Sequence, residues 1–122
     1  MRVMKNGALQ AKSFTFAVQV VNLCKSLRAE KREFILSKQL LRSGTAIGAL
    51  VREAEQAESK ADFVHKMAIA LKEANETEYW LELLHETHYL EPDAFSFIHH
   101  DVVEILKLLT SIINSSKRRI SQ

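Results

Sequence analysis

The sequence has little of what interrupts regular structure, because its 122 residues include only three glycines and one proline. A strand-rich fold needs many turns, and turns depend heavily on these two residues, so their scarcity argues against it. Hydrophobic residues still make up 47% of the chain, which is enough for the core of one ordinary domain. The composition therefore predicts a single domain over residues 1–122, built mainly from helices.

Cysteine is almost absent as well, and the lone Cys24 in VVNLCKSL cannot form a disulfide within the chain. Its apolar neighbours predict a small buried side chain in a reducing compartment. No stretch approaches the roughly 18 uninterrupted apolar residues of a membrane span. The N-terminal MRVMKNGALQAK lacks the apolar run of a signal peptide. These absences predict a cytoplasmic protein.

Patterns typical of enzymes are missing too: there is no glycine-rich nucleotide loop and no nucleophile beside a plausible base. Glu82 and His85 have the Glu-x-x-His spacing of di-metal bundles, but such a centre needs a second pair on another helix. The nearest equivalent, Asp62 with His65, lies on the same predicted helix. We therefore expect no catalytic residues, no resident metal and no cofactor.

A weaker alternative is a metal-dependent enzyme whose site forms between copies of the chain. His100 with Glu104 could hold a metal in that way, and His85 with His88 are spaced for one helix face. Such pairs are more often solvated or hydrogen-bonded to each other. This alternative would require bound metal in the purified protein.

Charge of one sign is scarce in each part of the chain, although the net charge is only +2. Residues 1–52 have ten Lys or Arg and two acids, residues 53–104 have three and thirteen, and residues 105–122 have four and none. Basic and acidic parts could attract each other within the chain, pair head-to-tail between copies, or present a cationic face to nucleic acid.

Breaks near residues 30–32, 58–59 and 91–92 divide the chain into four predicted helices at about 13–30, 33–57, 60–90 and 93–116. Ser13 is a plausible N-cap of the first helix, and Ser59 of the third, with Asp62 at the capping-box spacing. Pro92 can end the third and open the fourth. Short connections predict antiparallel neighbours, hence an all-α, up-down-up-down four-helix bundle with frayed termini.

The helices have more apolar residues than one seam requires. In the fourth, one series spaced by three and four residues predicts knobs-into-holes packing, and it comprises Phe95, Ile98, Val102, Ile105, Leu109 and Ile112. The first helix has two such lines, one through Phe14 and Val18 and another through Phe16 and Val20. Because large exposed apolar patches are disfavoured, the second line favours self-association over a wide stripe inside one bundle.

Small residues interrupt the second helix at Gly44 and Gly48, each costing up to about 1 kcal/mol relative to alanine. We expect a helix to pack closely against them. A phosphate cradle at Ser43 to Thr45 is the rival interpretation, but no strand precedes it and no Walker motif is present.

Polar residues near the apolar stripe of the third helix predict a buried contact that fixes helix register. Glu78 is the costliest of them to bury, so we expect Arg42 or Arg52 of the second helix to pair with it. Thr77, His85 and His88 lie near the same stripe.

The run QLLRSGTAIGALVREAEQAESKADFVHKMAIALKEANETEYWLELL, residues 39–84, resembles a bacterial family of four-helix bundles known as 23S rRNA intervening-sequence proteins. The accessory protein of diversity-generating retroelements is similar to that family. The resemblance implies a ring-shaped homopentamer with a central channel. In the retroelement protein that channel is cationic, and the protein binds a reverse transcriptase and nucleic acid.

The motif positions that the resemblance carries over are Gln39 to Arg42, Ser43 to Gly48, Glu53 and Glu76 to Trp80, and it implies structural roles for them. One position departs from the family pattern. Members commonly have asparagine after Gly-Ala, whereas this chain has Leu50, so any polar contact made by that asparagine is absent here.

Together these features predict a non-enzymatic oligomeric scaffold that binds RNA or a ribonucleoprotein, such as a reverse-transcriptase-like complex, through a basic face. Aromatic residues do not alternate with the cations, so sequence-specific single-strand binding is not expected. The alternative is a protein-only adaptor. The candidate nucleic-acid-binding residues are Lys25, Arg28, Lys31, Arg32, Lys38, Arg42, Lys117, Arg118 and Arg119.

Overall fold

A computed structural model describes the backbone of residues 7–121 and the side chains of residues 7–118. Four helices cover most of it: α1 (Gly7–Glu30), α2 (Leu36–Ala54), α3 (Lys60–Glu86) and α4 (Pro92–Ser121). Three five-residue connections join them, at 31–35, 55–59 and 87–91. The predicted all-α, up-down-up-down bundle is confirmed.

Each helix packs against two neighbours, because consecutive helices are in contact and α1 also packs against α4. The predicted apolar stripe of α3 is buried throughout, and it comprises Phe63, Met67, Ala70, Ala74, Leu81 and Leu84. In α4 the middle of the predicted seam is buried, while Phe95 and Ile112 are partly covered. In α1 the line through Phe16 and Val20 faces the core. The largest buried side chains are Phe16, Leu9, Leu27, Leu40, Ile47, Met67, Leu81, Leu84, Ile105 and Leu109.

Two helix ends differ from the prediction. Helix α1 begins at Gly7, so Ser13 is not its N-cap; it is a buried residue whose hydroxyl donates to the Gln10 carbonyl at 3.2 Å. Ser13 packs against Gly48 of α2, where an added Cβ would lie 3.6 Å from the Ser13 hydroxyl oxygen. Helix α4 continues to Ser121 rather than fraying near Ser115.

Ser59 is confirmed as the N-cap of α3 and Pro92 as the start of α4, but Pro92 does not end α3. The Ser59 hydroxyl accepts the Asp62 amide at 3.0 Å, and the Asp62 carboxylate accepts the Glu58 amide at 3.1 Å. Pro92 is the first residue of α4. Helix α3 ends at Glu86, before the predicted Leu90, because His88 adopts a left-handed φ of 68° that turns the chain out of the helix.

Glu33 organises the connection between α1 and α2. Its carboxylate accepts the amides of Ile35, Leu36 and Ser37 at 3.3, 3.0 and 2.7 Å, so it caps α2 from outside the helix. Burial works to raise the pKa of Glu33, but these three amides outweigh it and hold the pKa below the ordinary value. The preceding residue, Arg32, has a left-handed φ of 52°.

The close approach of another helix predicted at the two glycines is confirmed at Gly44, where α1 is in the way of a side chain, but not at Gly48, where an added Cβ would make only ordinary contact. A Cβ atom on Gly44 would lie 2.9 Å from both γ-carbons of Val20, and one on Gly48 would lie 3.4 Å from the Ser13 carbonyl oxygen. Ser43 and Gly44 are buried in the middle of α2, so this stretch is packed helix and not a phosphate cradle.

Cys24 is buried as predicted, and its thiol donates to the Ser37 carbonyl at 3.3 Å. Burial raises the pKa of Cys24 to about 11, with Arg28 opposing the shift and Glu33 adding to it. Among the described helices, none combines the length and apolar character needed to span a membrane.

Candidate nucleic-acid interface

Five of the nine candidate cations gather at one end of the bundle, where α1 passes into α2. Lys25 and Arg28 occupy the last two turns of α1, Lys31 and Arg32 lie in the connection, and Lys38 is in the first turn of α2. All five side chains are exposed. We call this set the basic end.

Acidic side chains do little to neutralise the cations of the basic end. None of its five cations forms a salt bridge with any acid in the described part of the chain. Two carboxylates adjoin these cations in sequence: Glu33 is buried and turned onto backbone amides, and the exposed Glu30 accepts the Ser26 hydroxyl at 3.2 Å. Arg28 instead donates from Nε to the Ser37 hydroxyl at 3.5 Å. The positive charge of this end therefore faces solvent.

Arg42 does not belong to the basic end, although the sequence grouped it there. Its guanidinium donates to Glu76 and, at 3.2 Å, to Glu73, both on α3. Hydrogen bonding to Glu76 raises the pKa of Arg42 above its ordinary value. The same Glu76 carboxylate accepts the Trp80 indole N–H at 2.9 Å, and this bond, followed by that to Arg42, lowers its pKa. Hydrogen bonds among Arg42, Glu76 and Trp80 thus join α2 to α3. All three are motif positions for which the resemblance implied structural roles.

The C-terminal cations lie at the opposite end. In the up-down-up-down bundle α4 runs antiparallel to α1, and Lys12 near the start of α1 lies 3.7 Å from Glu104 in α4. Lys117 and Arg118, further along α4, therefore lie at the end of the bundle where α1 starts. The connection between α3 and α4 lies at the same end of the bundle as the basic end. About 25 residues of α4, at a rise of 1.5 Å per residue, separate Lys117 and Arg118 from that connection. Both side chains are exposed. The Arg119 side chain lies outside the described residues.

The sequence analysis missed two exposed apolar residues at the basic end. Phe34 and Ile35 directly follow Glu33 and are 52% and 76% exposed. Their signal was present in KREFILSK, where an apolar pair follows the predicted break at residues 30–32, but the predicted second helix began at residue 33 and included both, whereas α2 begins at Leu36. An aromatic ring beside clustered cations can stack on a nucleic-acid base. Phe34 therefore places one aromatic residue between Arg32 and Lys38 in sequence, although aromatic residues do not alternate with the cations.

A shallow groove of about 690 Å³ runs between α1 and α2 on the side of the bundle. Gly48 and Ala17 are among the residues that line it, and Phe14, which is 60% exposed, stands at its edge. Val18, one turn further along α1, is 45% exposed. The second apolar line of α1 is therefore left uncovered by the bundle. Leu50, by contrast, packs partly buried against the core.

The expected partner of Glu78 was wrong. Neither Arg42 nor Arg52 pairs with it; instead His99 of α4 lies 2.9 Å from its carboxylate. The buried polar contact between α2 and α3 joins Thr77 and Ser43, whose hydroxyl oxygens are 2.9 Å apart. Two hydroxyls are less costly to bury than a carboxylate and a guanidinium, which is why this contact occupies the interior.

The histidines singled out in the sequence are dispersed. His100 lies 3.7 Å from Glu104 and is exposed, and His88 is exposed at the end of α3. His85 stacks on Phe95 of α4, with ring centroids 4.2 Å apart. The described residues therefore do not bring His85 and His88 together as a pair of ligands.

A family model for the 23S rRNA-intervening sequence protein matches residues 5–111, which is most of the chain and includes all of α1, α2 and α3. The chain belongs to this family. The resemblance of residues 39–84 is thereby confirmed and extended to the flanking helices. No curated protein gives a significant match.

A solved member of similar shape is a protein of unknown function from the S23 ribosomal protein family of Bacteroides thetaiotaomicron. It is 59% identical to this chain, and the alignment covers 87% of this chain and 98% of the other, with a TM-score of 0.86. Neither the family description nor this relative is associated with an enzymatic activity.

Proposed function

We propose that this protein is a non-enzymatic oligomeric scaffold that binds RNA, or an RNA-containing partner, through the basic end. The observation that carries the proposal is the set of five exposed cations without acidic partners where α1 meets α2. Phosphates bound there would displace condensed counterions, which is the main source of salt-dependent affinity for nucleic acid. Phe34, two residues after Arg32 and 52% exposed, adds a ring on which a base could stack.

Self-association supports the same function because copies add their charge. The groove between α1 and α2 and the uncovered Phe14 and Val18 supply apolar surface for a contact between copies. The basic α1–α2 half and the acidic α3–α4 half also complement each other in charge. A contact between unlike faces is heterologous, and heterologous contacts close into rings when the rotation permits. A ring is consistent with the pentamer that the family resemblance implies.

The proposal is tested by removing two cations from the basic end. In the Lys31→Gln, Arg32→Gln double variant, both altered side chains are exposed and outside any described ion pair. We expect weaker binding to a structured RNA, and a salt dependence whose logarithmic slope falls by about 0.7–0.9 for each phosphate that the variant no longer neutralises. The measurement is fluorescence anisotropy of labelled RNA over a salt series.

A matched control is available on α3. The Lys60→Gln, Lys72→Gln double variant makes the same change in net charge at two exposed lysines away from the basic end. We expect it to retain both the affinity and the salt slope of the wild type. Equal losses in the two double variants would mean that binding follows net charge alone and would contradict the proposed interface.

A protein-only adaptor is the second candidate, favoured by the exposed apolar pair Phe34 and Ile35. Such a pair can anchor a protein partner as readily as it stacks on a base. The two candidates differ in what accompanies the protein from cells. Co-purified nucleic acid raises the ratio of absorbance at 260 nm to that at 280 nm, whereas a protein-only adaptor shows the ratio of its own aromatic residues.

A further inference from the structure

Three potential metal ligands from two helices converge on the side of the bundle away from the groove. The carboxylates of Glu78 and Glu82 and the imidazole of His99 each offer one atom, and these atoms all lie within 4.8 Å of one another. His99 Nε2 is 2.9 Å from a Glu78 oxygen and 3.7 Å from a Glu82 oxygen. This is the only such group among the described residues.

The helices impose this convergence. Glu78 and Glu82 are four residues apart on α3, so they lie on one face, one turn above the other. That face meets α4, where His99 points between the two carboxylates. Phe95, one turn earlier on α4, stacks against the His99 ring with centroids 4.9 Å apart and against His85 on its other side. The ring stack limits how the imidazole can turn.

We propose that Glu78, Glu82 and His99 form a binding site for a divalent transition-metal ion with the ligand preferences of zinc. Zinc binds imidazole nitrogen and carboxylate oxygen at about 2.0–2.2 Å, which places tetrahedral ligand atoms about 3.3 Å apart. His99 Nε2 lies 2.9 Å from a Glu78 oxygen and 3.7 Å from a Glu82 oxygen, one distance below that value and one above it. Small side-chain rotations would therefore suffice to enclose an ion.

Charge and exposure also suit a cation. Two carboxylates held this close repel each other unless positive charge lies between them. Glu78 and His99 are each about a quarter exposed, at 26% and 28%, while Glu82 is 55% exposed. An ion would thus enter from the Glu82 side and keep one or more coordination positions for water. Three protein ligands with an open position are the pattern of zinc sites that exchange ligands.

This set differs from the one that the Glu-x-x-His spacing suggested. His85 does not contribute, because its ring lies against Phe95 and its Nδ1 is 3.3 Å from the Leu90 carbonyl oxygen. The third ligand comes from α4, which no spacing within α3 could show. Bound metal would clamp α3 to α4 and stabilise the bundle by mass action.

The test uses the full chain without a histidine tag, dialysed against a chelator and titrated with zinc by isothermal calorimetry. We expect saturable binding of one zinc per chain and a rise in melting temperature with zinc. Replacing a residue that merely orients a ligand costs 10–100-fold in metal affinity, so His99→Gln should weaken binding by at least about 100-fold. Glu78→Gln should also weaken it.

His100→Gln is the matched control, since His100 is the adjacent residue and more exposed. It should bind zinc as the wild type does. Far-UV circular dichroism of each variant shows that the helices remain, and cobalt in place of zinc gives a visible absorption band that His99→Gln should abolish. Absence of zinc binding, equal binding by His99→Gln, or loss only in His100→Gln would each overturn the proposal.

Discussion

The Thr77 hydroxyl of α3 lies 2.9 Å from the Ser43 hydroxyl of α2, and both side chains are completely buried. Thr77 also donates to the Glu73 carbonyl one turn earlier, at 2.7 Å. Elsewhere the described α2–α3 interior is apolar, so sliding one helix along the other would separate these two groups and leave them without partners. The pair therefore fixes the register of α2 against α3.

Replacing Thr77 with valine tests this role without changing the side-chain volume. Because Ser43 would be left buried without its partner, we expect Thr77→Val to lower the free energy of unfolding by about 1–3 kcal/mol. Thr45→Val is the control, since Thr45 makes the same bond to a carbonyl four residues earlier but is not fully buried. It should change stability by less than about 0.5 kcal/mol. Urea unfolding measures both, and equal effects would remove the special role of the pair.

Replacing each of the two glycines of α2 with alanine should change the stability of the fold in opposite directions. Gly44→Ala puts a methyl group 2.9 Å from both γ-carbons of the stiff Val20 side chain, so we expect a loss of about 1–3 kcal/mol. Gly48→Ala makes only an ordinary contact with Ser13 at 3.4 Å, so the gain in helix propensity, up to about 1 kcal/mol, should prevail. Adding Val20→Ala to Gly44→Ala should relieve the clash. Thermal melts that ranked Gly48→Ala as the more damaging would contradict this packing.

Glu33 predicts a specific loss of stability in acid. Because its pKa is lower in the folded chain than in the unfolded chain, its contribution is complete above the ordinary value of 4.5 and is lost as the pH falls through the folded value. At neutral pH, Glu33→Gln should cost about 1–2 kcal/mol as a lost helix cap. The difference between wild type and variant should shrink below pH 4.5. A difference that stayed constant from pH 7 to pH 3 would show that the carboxylate charge is irrelevant.

Arg42 and Lys38 should separate stability from RNA binding. Both are exposed and lie one turn apart on α2, but only Arg42 is tied to α3 through Glu73 and Glu76. We expect Arg42→Gln to lower stability by up to about 1 kcal/mol, as half-exposed ion pairs do, and to leave RNA affinity near the wild-type value. Lys38→Gln should lower RNA affinity without affecting stability. Melting curves and anisotropy titrations that reversed these assignments would return Arg42 to the nucleic-acid interface.

Much of the fold could be predicted because it depends on local rules. Helix periodicity located the core of α3 and most of that of α4, and the scarcity of glycine made Gly44 stand out as the place where α1 approaches α2 closely. Ser13 was misassigned because a serine that starts a helix and a serine buried under another helix look alike in sequence. The two cases differ only in the folded structure, where Gly48 of α2 packs against Ser13.

The candidate site was predictable in part for the same reason. Clustering of Lys31 and Arg32 with their neighbours is visible in sequence, and the fold keeps it at one end of the bundle. The residues of other helices that a side chain contacts cannot be read from the sequence. The binding of Arg42 by Glu76, and the meeting of Glu78 with His99, depend on how α3 packs against α2 and α4.

Sedimentation velocity of the tag-free chain over a wide concentration range tests the central claim most directly, because pooling of charge requires copies to associate through the uncovered face of α1. The account predicts an assembly of several chains that dissociates in Phe14→Glu, where the altered side chain is 60% exposed and can be charged without disturbing the core. Thr15→Glu, which adds the same charge at an exposed residue outside the groove, should leave the assembly intact. A wild-type chain that sediments as a single copy at every concentration would contradict the account.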